Sequence, residues 1–284
     1  MLMAVRLLSA LVGCIIGITI LVLDNLYVYT AMIMFLSAVG VWEIIHAIKC
    51  DGHKAMCWVS VVFAAIFPAS IIIGQQYPFV RVFTLPLAMG YVLIMALLML
   101  RDHKSVKFEQ VLSCGAAGGL LPTALSCIIL LRFSECGKPL GIFMILFVLF
   151  SAWFGDSGAF FVGTFLGKHK LCPTISPKKT VEGLVGGIVT VGVVMAITLV
   201  VYNVFGLTEH QLNYAVLIPL SMTASLVGVV GDLSASVIKR EHNVKDFGNI
   251  MPGHGGVIDR FDSVIFVAPF LYVALTYLGN YIYL

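Results

Sequence analysis

The chain has 284 residues, of which 60% are hydrophobic and only 11% charged, with a formal net charge of +3. A mean hydropathy of +1.05 leaves more apolar surface than a water-soluble domain can bury. A soluble globular protein is therefore excluded, and no nucleic-acid partner is expected.

Apolar runs of about 20 residues, enough to cross roughly 30 Å of hydrocarbon, recur along the chain. In lipid each segment must satisfy its own backbone polar groups, so the spans are helices. They are predicted near 4–23, 26–48, 55–73, 79–100, 110–131, 140–164, 183–205, 212–231 and 263–283. This gives an all-α polytopic membrane bundle of about nine transmembrane helices, with a polar cavity facing the cytoplasm. The first run is too long for a secretion signal and lacks a small-x-small cleavage site before Asp24. With the N-terminus inside and the C-terminus outside, all of the 17 Lys and Arg residues except Arg81, Arg132 and Lys138 lie on the cytoplasmic side. The seven cysteines form no CxxC pair and read as packing residues.

Residues 1–135 hold about five spans with few ionisable groups and read as scaffold. Glu43 and His46 are the exception: at i and i+3 they share a helix face, either as a structural pair or snorkelling group, or lining a site. Gly115, Gly118 and Gly119 are expected to form a close-packing face in the fifth span, kinked at Pro122.

Residues 136–284 hold the remaining four spans and the charged loops, and read as catalytic. Asp156 lies inside an apolar helix among small residues, where it either pairs with a cytoplasmic Lys or Arg or orients a substrate. In GKHKLCPTISPKKTVEG, Ser176 before Pro177 reads as an N-cap, which puts Lys178 and Lys179 in a first helical turn. A bound anion would suit that placement; a solvated basic loop is the alternative. Gly183, Gly186 and Gly187 open the seventh span with a close-packing face.

The stretch from Gly231 to Asp262, GDLSASVIKREHNVKDFGNIMPGHGGVIDRFD, gathers charge, glycine and histidine as no other part of the chain does. On a continued helix Asp232, Ser236 and Lys239 share one face. A loop containing Pro252, His254, Gly255 and Gly256 follows, and a last helix from about Val257 carries Asp259 and Asp262 at i and i+3. Magnesium is held by one or two carboxylates together with substrate phosphates. Asp232 and Asp259 are the candidate ligands, with Lys239, Arg240, Lys245 and Arg260 neutralising phosphate oxygens. Such a site catalyses by positioning and charge neutralisation and needs no protein nucleophile.

The run Ser236-Val-Ile-Lys239-Arg240, Lys245-Asp246, Gly248, Pro252, His254-Gly255-Gly256, Asp259-Arg260 and Asp262 resembles the signature of the phosphatidate cytidylyltransferases, with Met251 a conservative departure. Asp156-Ser-Gly-Ala and Ser176-Pro-Lys-Lys-Thr-Val-Glu-Gly resemble further motifs of that family; the specific likeness covers roughly 151–263. The resemblance implies an enzyme of phospholipid biosynthesis that joins CTP to phosphatidic acid, giving CDP-diacylglycerol and pyrophosphate. It also implies a magnesium requirement, with potassium as a companion ion, and a homodimer among membrane lipids; the compact length without a long polar N-terminal extension favours a bacterial cytoplasmic membrane. Asp232 and Asp259 match the metal-binding positions. Lys178, Lys179, Lys239, Arg240 and Arg260 match basic positions that contact phosphates, with Ser176, Lys245, His254, Gly255 and Gly256 beside them. His254 is expected to position the loop or a phosphate rather than to act as a base. A CTP-dependent polyprenol or lipid kinase is the near alternative, and an ion-coupled transporter the distant one.

Overall fold

The structure is a computed structural model that describes residues 2–50, 52–134, 140–208, 210–251, 253 and 255–283. His254, Pro252, Lys138, Cys136 and the expected domain boundary at 135/136 lie outside the described residues. Among the described residues eight helical segments are long and apolar enough to cross a membrane, so the protein is a multi-pass helical membrane protein. They are α2 (Leu26–Ala47), α3 (Lys54–Gln76), the pair α4 (Pro78–Arg81) and α5 (Thr84–Arg101), α6 (Phe108–Phe133), α7 (Phe143–Leu166), α8 (Val181–Val204), α9 (Tyr214–Glu241), and α11 (Val264–Leu278) with its closing 3-10 turn. The remaining predicted span falls on α1 (Leu2–Leu23), whose described apolar stretch is Leu11–Leu23.

Local chemistry sets the ends of these helices. Asp24 takes a left-handed φ of 39°, and Asn25 caps α2 by accepting from the amides of Tyr27 and Val28. Tyr77 before Pro78 ends α3, because a residue preceding proline avoids the helical region.

The chain divides into two compact units, residues 1–129 with 238–261 and residues 130–237 with 262–284. In the first, α2 packs on α3 and α3 on α5. The Tyr91 hydroxyl donates to the Cys114 carbonyl at 3.0 Å and lies 2.9 Å from Ser60 Oγ, while its ring stacks on Phe63 at 4.0 Å. Gly118 makes room for that hydroxyl; Gly115 and Gly119 face open space, so the predicted glycine face reduces to one contact. Gly40 of α2 admits Ile258, which belongs to the short helix α10 (Ile258–Phe261).

In the second unit α7 and α8 are the closest pair, and the predicted glycine face of α8 is borne out. A Cβ at Gly187 would stand 2.6 Å from the Gly155 carbonyl, one at Gly183 2.7 Å from that of Ala159, and Gly186 abuts Val162. Gly228 and Gly231 of α9 meet Ser263, Val267 and Phe266 in the same way.

Two predicted boundaries are corrected. Ser176 is not an N-cap: Ser176–Thr180 is a strand, β2, antiparallel to β1 (Lys170–Cys172), with Lys170 opposite Thr180 and Cys172 opposite Ser176. The cap of α8 is Thr180, whose Oγ1 accepts from the Gly183 amide at 3.1 Å. Acidic Glu182 then occupies the first turn, as the helix dipole favours, and the lysines stay outside it. The last helix is also interrupted: α10 ends at Phe261 and α11 starts at Val264, so Asp259 and Asp262 do not share one continuous helix.

Candidate active site

In the first unit the site is built around Asp259, on α10. Its Oδ2 accepts from the backbone amides of Phe247 at 2.9 Å and Gly256 at 3.0 Å. Its Oδ1 receives the Lys239 ammonium at 2.9 Å. The two side chains are only 4% and 12% exposed, so this is a desolvated, charge-assisted pair. Lys239 also lies over the Phe247 ring, 5.3 Å from its centroid.

The loop before α10 closes on itself, the Met251 amide donating to the Gly255 carbonyl at 3.0 Å. Gly253 and Gly255 have φ of 77° and 85°, in the left-handed region that glycine adopts at low cost. Arg240 and Lys245 are exposed and, with Asn243 and Val244, line a shallow cavity of about 270 Å³. Arg260 is exposed on α10.

Glu43 of α2 belongs to this cluster. Completely buried, it accepts from the amides of Val257 and Ile258 at 3.0 Å each. A Cβ at Gly248 or Gly256 would overlap its carboxylate. His46 parts from it: exposed, it stacks on Trp42 with ring centroids 5.4 Å apart, so the expected shared role of the two is not found. Sequence spacing could not reveal Glu43's part, because its partners lie 214 and 215 residues away.

The second unit gathers Asp232, Lys179, Asp156 and Ser236. Lys179 Nζ stands 2.5 Å from Asp232 Oδ2, with the side chains 23% and 24% exposed. On β2 Lys178 is exposed, whereas Lys179 and Ser176 are half-buried. Ser236 Oγ donates to Asp232 Oδ1 at 3.4 Å, one turn away on α9. Asp156 accepts from Ser263 Oγ at 2.8 Å and lies within electrostatic range of Asp232 and Lys179. The hairpin is tied to α8 by Glu182, which accepts from the amides of Lys168 and His169 and pairs with His169 Nδ1 at 2.6 Å.

α9 runs unbroken through Asp232, Ser236 and Lys239, as the continued-helix reading required. Each candidate metal-binding aspartate thus carries a lysine partner, Asp232 with Lys179 and Asp259 with Lys239. Among the described residues no three His, Cys, Asp or Glu side chains cluster as a self-sufficient metal cage. Magnesium asks for less, since one or two carboxylates suffice when substrate phosphates complete the shell.

In each unit a carboxylate thus stands beside an ammonium group, Asp259 with Lys239 and Asp232 with Lys179. The chain belongs to the cytidylyltransferase family, whose sequence profile matches residues 4–278. Over 136 residues it is 48% identical to a phosphatidate cytidylyltransferase of Bacillus subtilis (strain 168), covering 48% of each chain. Over 135 residues it is 41% identical to the protein of that name from Staphylococcus haemolyticus (strain JCSC1435), covering 48% of this chain and 50% of the relative. The match to these curated relatives thus spans about half of their length.

Proposed function

We propose that this protein is a phosphatidate cytidylyltransferase, transferring the CMP moiety of CTP to phosphatidic acid to give CDP-diacylglycerol and pyrophosphate. What carries the reading is the family match over residues 4–278, together with the carboxylate and ammonium groups around Asp232 and Asp259. A phosphate oxygen of phosphatidate attacks the α-phosphorus of CTP. A new P–O bond forms there, the bond from the α-phosphorus to the β-bridging oxygen breaks, and pyrophosphate leaves with the electron pair. Phosphatidate is already ionised near neutral pH, so no protein base has to remove a proton.

Asp232 and Asp259, hard oxygen donors, would hold magnesium, with potassium as a companion. The ion supplies charge stabilisation for the transferred phosphoryl group and for pyrophosphate. Lys239, Arg240, Lys245, Arg260, Lys178 and Lys179 neutralise phosphate oxygens, and Ser176 adds a hydroxyl. Asp156, linked to Ser263, orients Lys179 or the substrate. Gly255 and Gly256 shape the loop, and His254 positions that loop or a phosphate. The enzyme would work as a homodimer in a bacterial cytoplasmic membrane, with the N-terminus inside and the C-terminus outside.

The deciding experiment measures pyrophosphate release by purified protein given CTP, phosphatidic acid and magnesium, each omitted in turn, with the lipid products separated. Release that needs all three and yields CDP-diacylglycerol is expected. Phosphorylation of a polyprenol or of diacylglycerol instead would leave the nucleotide site standing and overturn the acceptor.

A further inference from the structure

Building on the cytidylyltransferase reading, we propose that Glu43, far from the signature in sequence, is a positioning residue of the active site: it anchors the backbone that aims Asp259. The geometry is specific. The amides that hold Asp259 Oδ2 belong to Phe247 and Gly256. The glycines pressed against the Glu43 carboxylate are Gly248 and Gly256, one adjacent to the first donor and the other the second donor itself. The next two amides, Val257 and Ile258, donate to Glu43 Oε1 and Oε2 at 3.0 Å each. One buried carboxylate therefore binds the backbone at one end of the frame around Asp259 and packs against Gly248 at the other.

The choice of residue follows from the donors. Two adjacent N–H groups on buried residues need two acceptor oxygens, and a carboxylate supplies both in one plane with charge assistance. A glutamine would supply a single acceptor and point an NH2 at the other amide, leaving a buried donor unsatisfied. The glycines are matched to the same group, since any side chain at 248 or 256 would fill the space that the carboxylate occupies. Glu43 reaches Asp259 only through this backbone, and no contact with substrate is needed for its effect.

The test uses full-length protein in detergent or nanodiscs. Glu43→Gln is compared with wild type for amide hydrogen exchange at residues 256–258, for kcat and KM with CTP and phosphatidic acid, and for melting temperature. Tyr91→Phe serves as a control for loss of scaffold stability away from the loop. Glu43→Gln is expected to speed exchange at Val257 and Ile258 and to lower kcat by about tenfold or more. KM should be little changed, and the activity loss should exceed any loss of folded protein. Tyr91→Phe should lower the melting temperature without changing kcat per folded molecule. Unchanged exchange at Val257 and Ile258 overturns the proposal. So does wild-type kcat, or an activity loss that merely tracks the folded fraction. A wild-type protein that makes no CDP-diacylglycerol overturns the underlying functional reading, and the exchange rates then still decide whether Glu43 holds the loop.

Discussion

Asp259 and Asp232 have the same kind of partner in different surroundings, and their variants should differ accordingly. The Lys239–Asp259 pair is nearly dry, so Lys239→Ala leaves a buried carboxylate uncompensated and should destabilise the protein by about 3 kcal/mol. The Lys179–Asp232 side chains are about a quarter exposed although the Lys179 ammonium itself is buried, so Lys179→Ala should cost less than Lys239→Ala, about 1–2 kcal/mol. Thermal melts of the two variants in one detergent check this order. For activity the two sites should converge: Asp232→Asn and Asp259→Asn are each expected to lower kcat by roughly a hundredfold or more. Near-normal turnover with magnesium in either variant would remove that residue from the metal site.

At the scale of elements, the contact between α7 and α8 is set by backbone approach, so it should tolerate no added methyl. Gly187→Ala places a carbon against the Gly155 carbonyl and should destabilise by about 1–3 kcal/mol, whereas Gly119→Ala meets nothing and should be neutral. Thr180→Ala removes the cap of α8 and should cost about 1 kcal/mol, which a melt also reports. The helices were legible in the sequence because membrane spans depend on run length alone, a local property. The hairpin was not. Ser176-Pro177 carries a helix-start signal, but Thr180 with Glu182 carries a competing one, and pairing with Lys170–Cys172 decides between them. In the site, the positions between Lys239 and Asp262 could be picked out by charge density. The partners of Glu43 could not, because nothing at residue 43 indicates which distant amides it will meet.

For the molecule as a whole, the bias of Lys and Arg toward one side predicts its orientation. A reporter fused after Leu284 should be active only on the outer face of the membrane and one fused before Met1 only on the inner face, and the reverse pattern would overturn the assigned sidedness. Removing divalent ions with a chelator should abolish CDP-diacylglycerol formation, and added magnesium should restore it.

The first unit is assembled from two separated pieces of chain, residues 1–129 and 238–261, and this affects how the protein is made. Glu43 enters the membrane on α2 long before its partners exist, since the amides of Val257 and Ile258 are made 214 and 215 residues later. At about 5–20 residues per second the ribosome takes roughly 10 to 40 s to reach them. Through that interval the nascent chain carries a carboxylate with neither amide in place. A chain that stalls before Val257 acquires neither, so incomplete products keep an apolar helix that carries a carboxylate without its two amide partners.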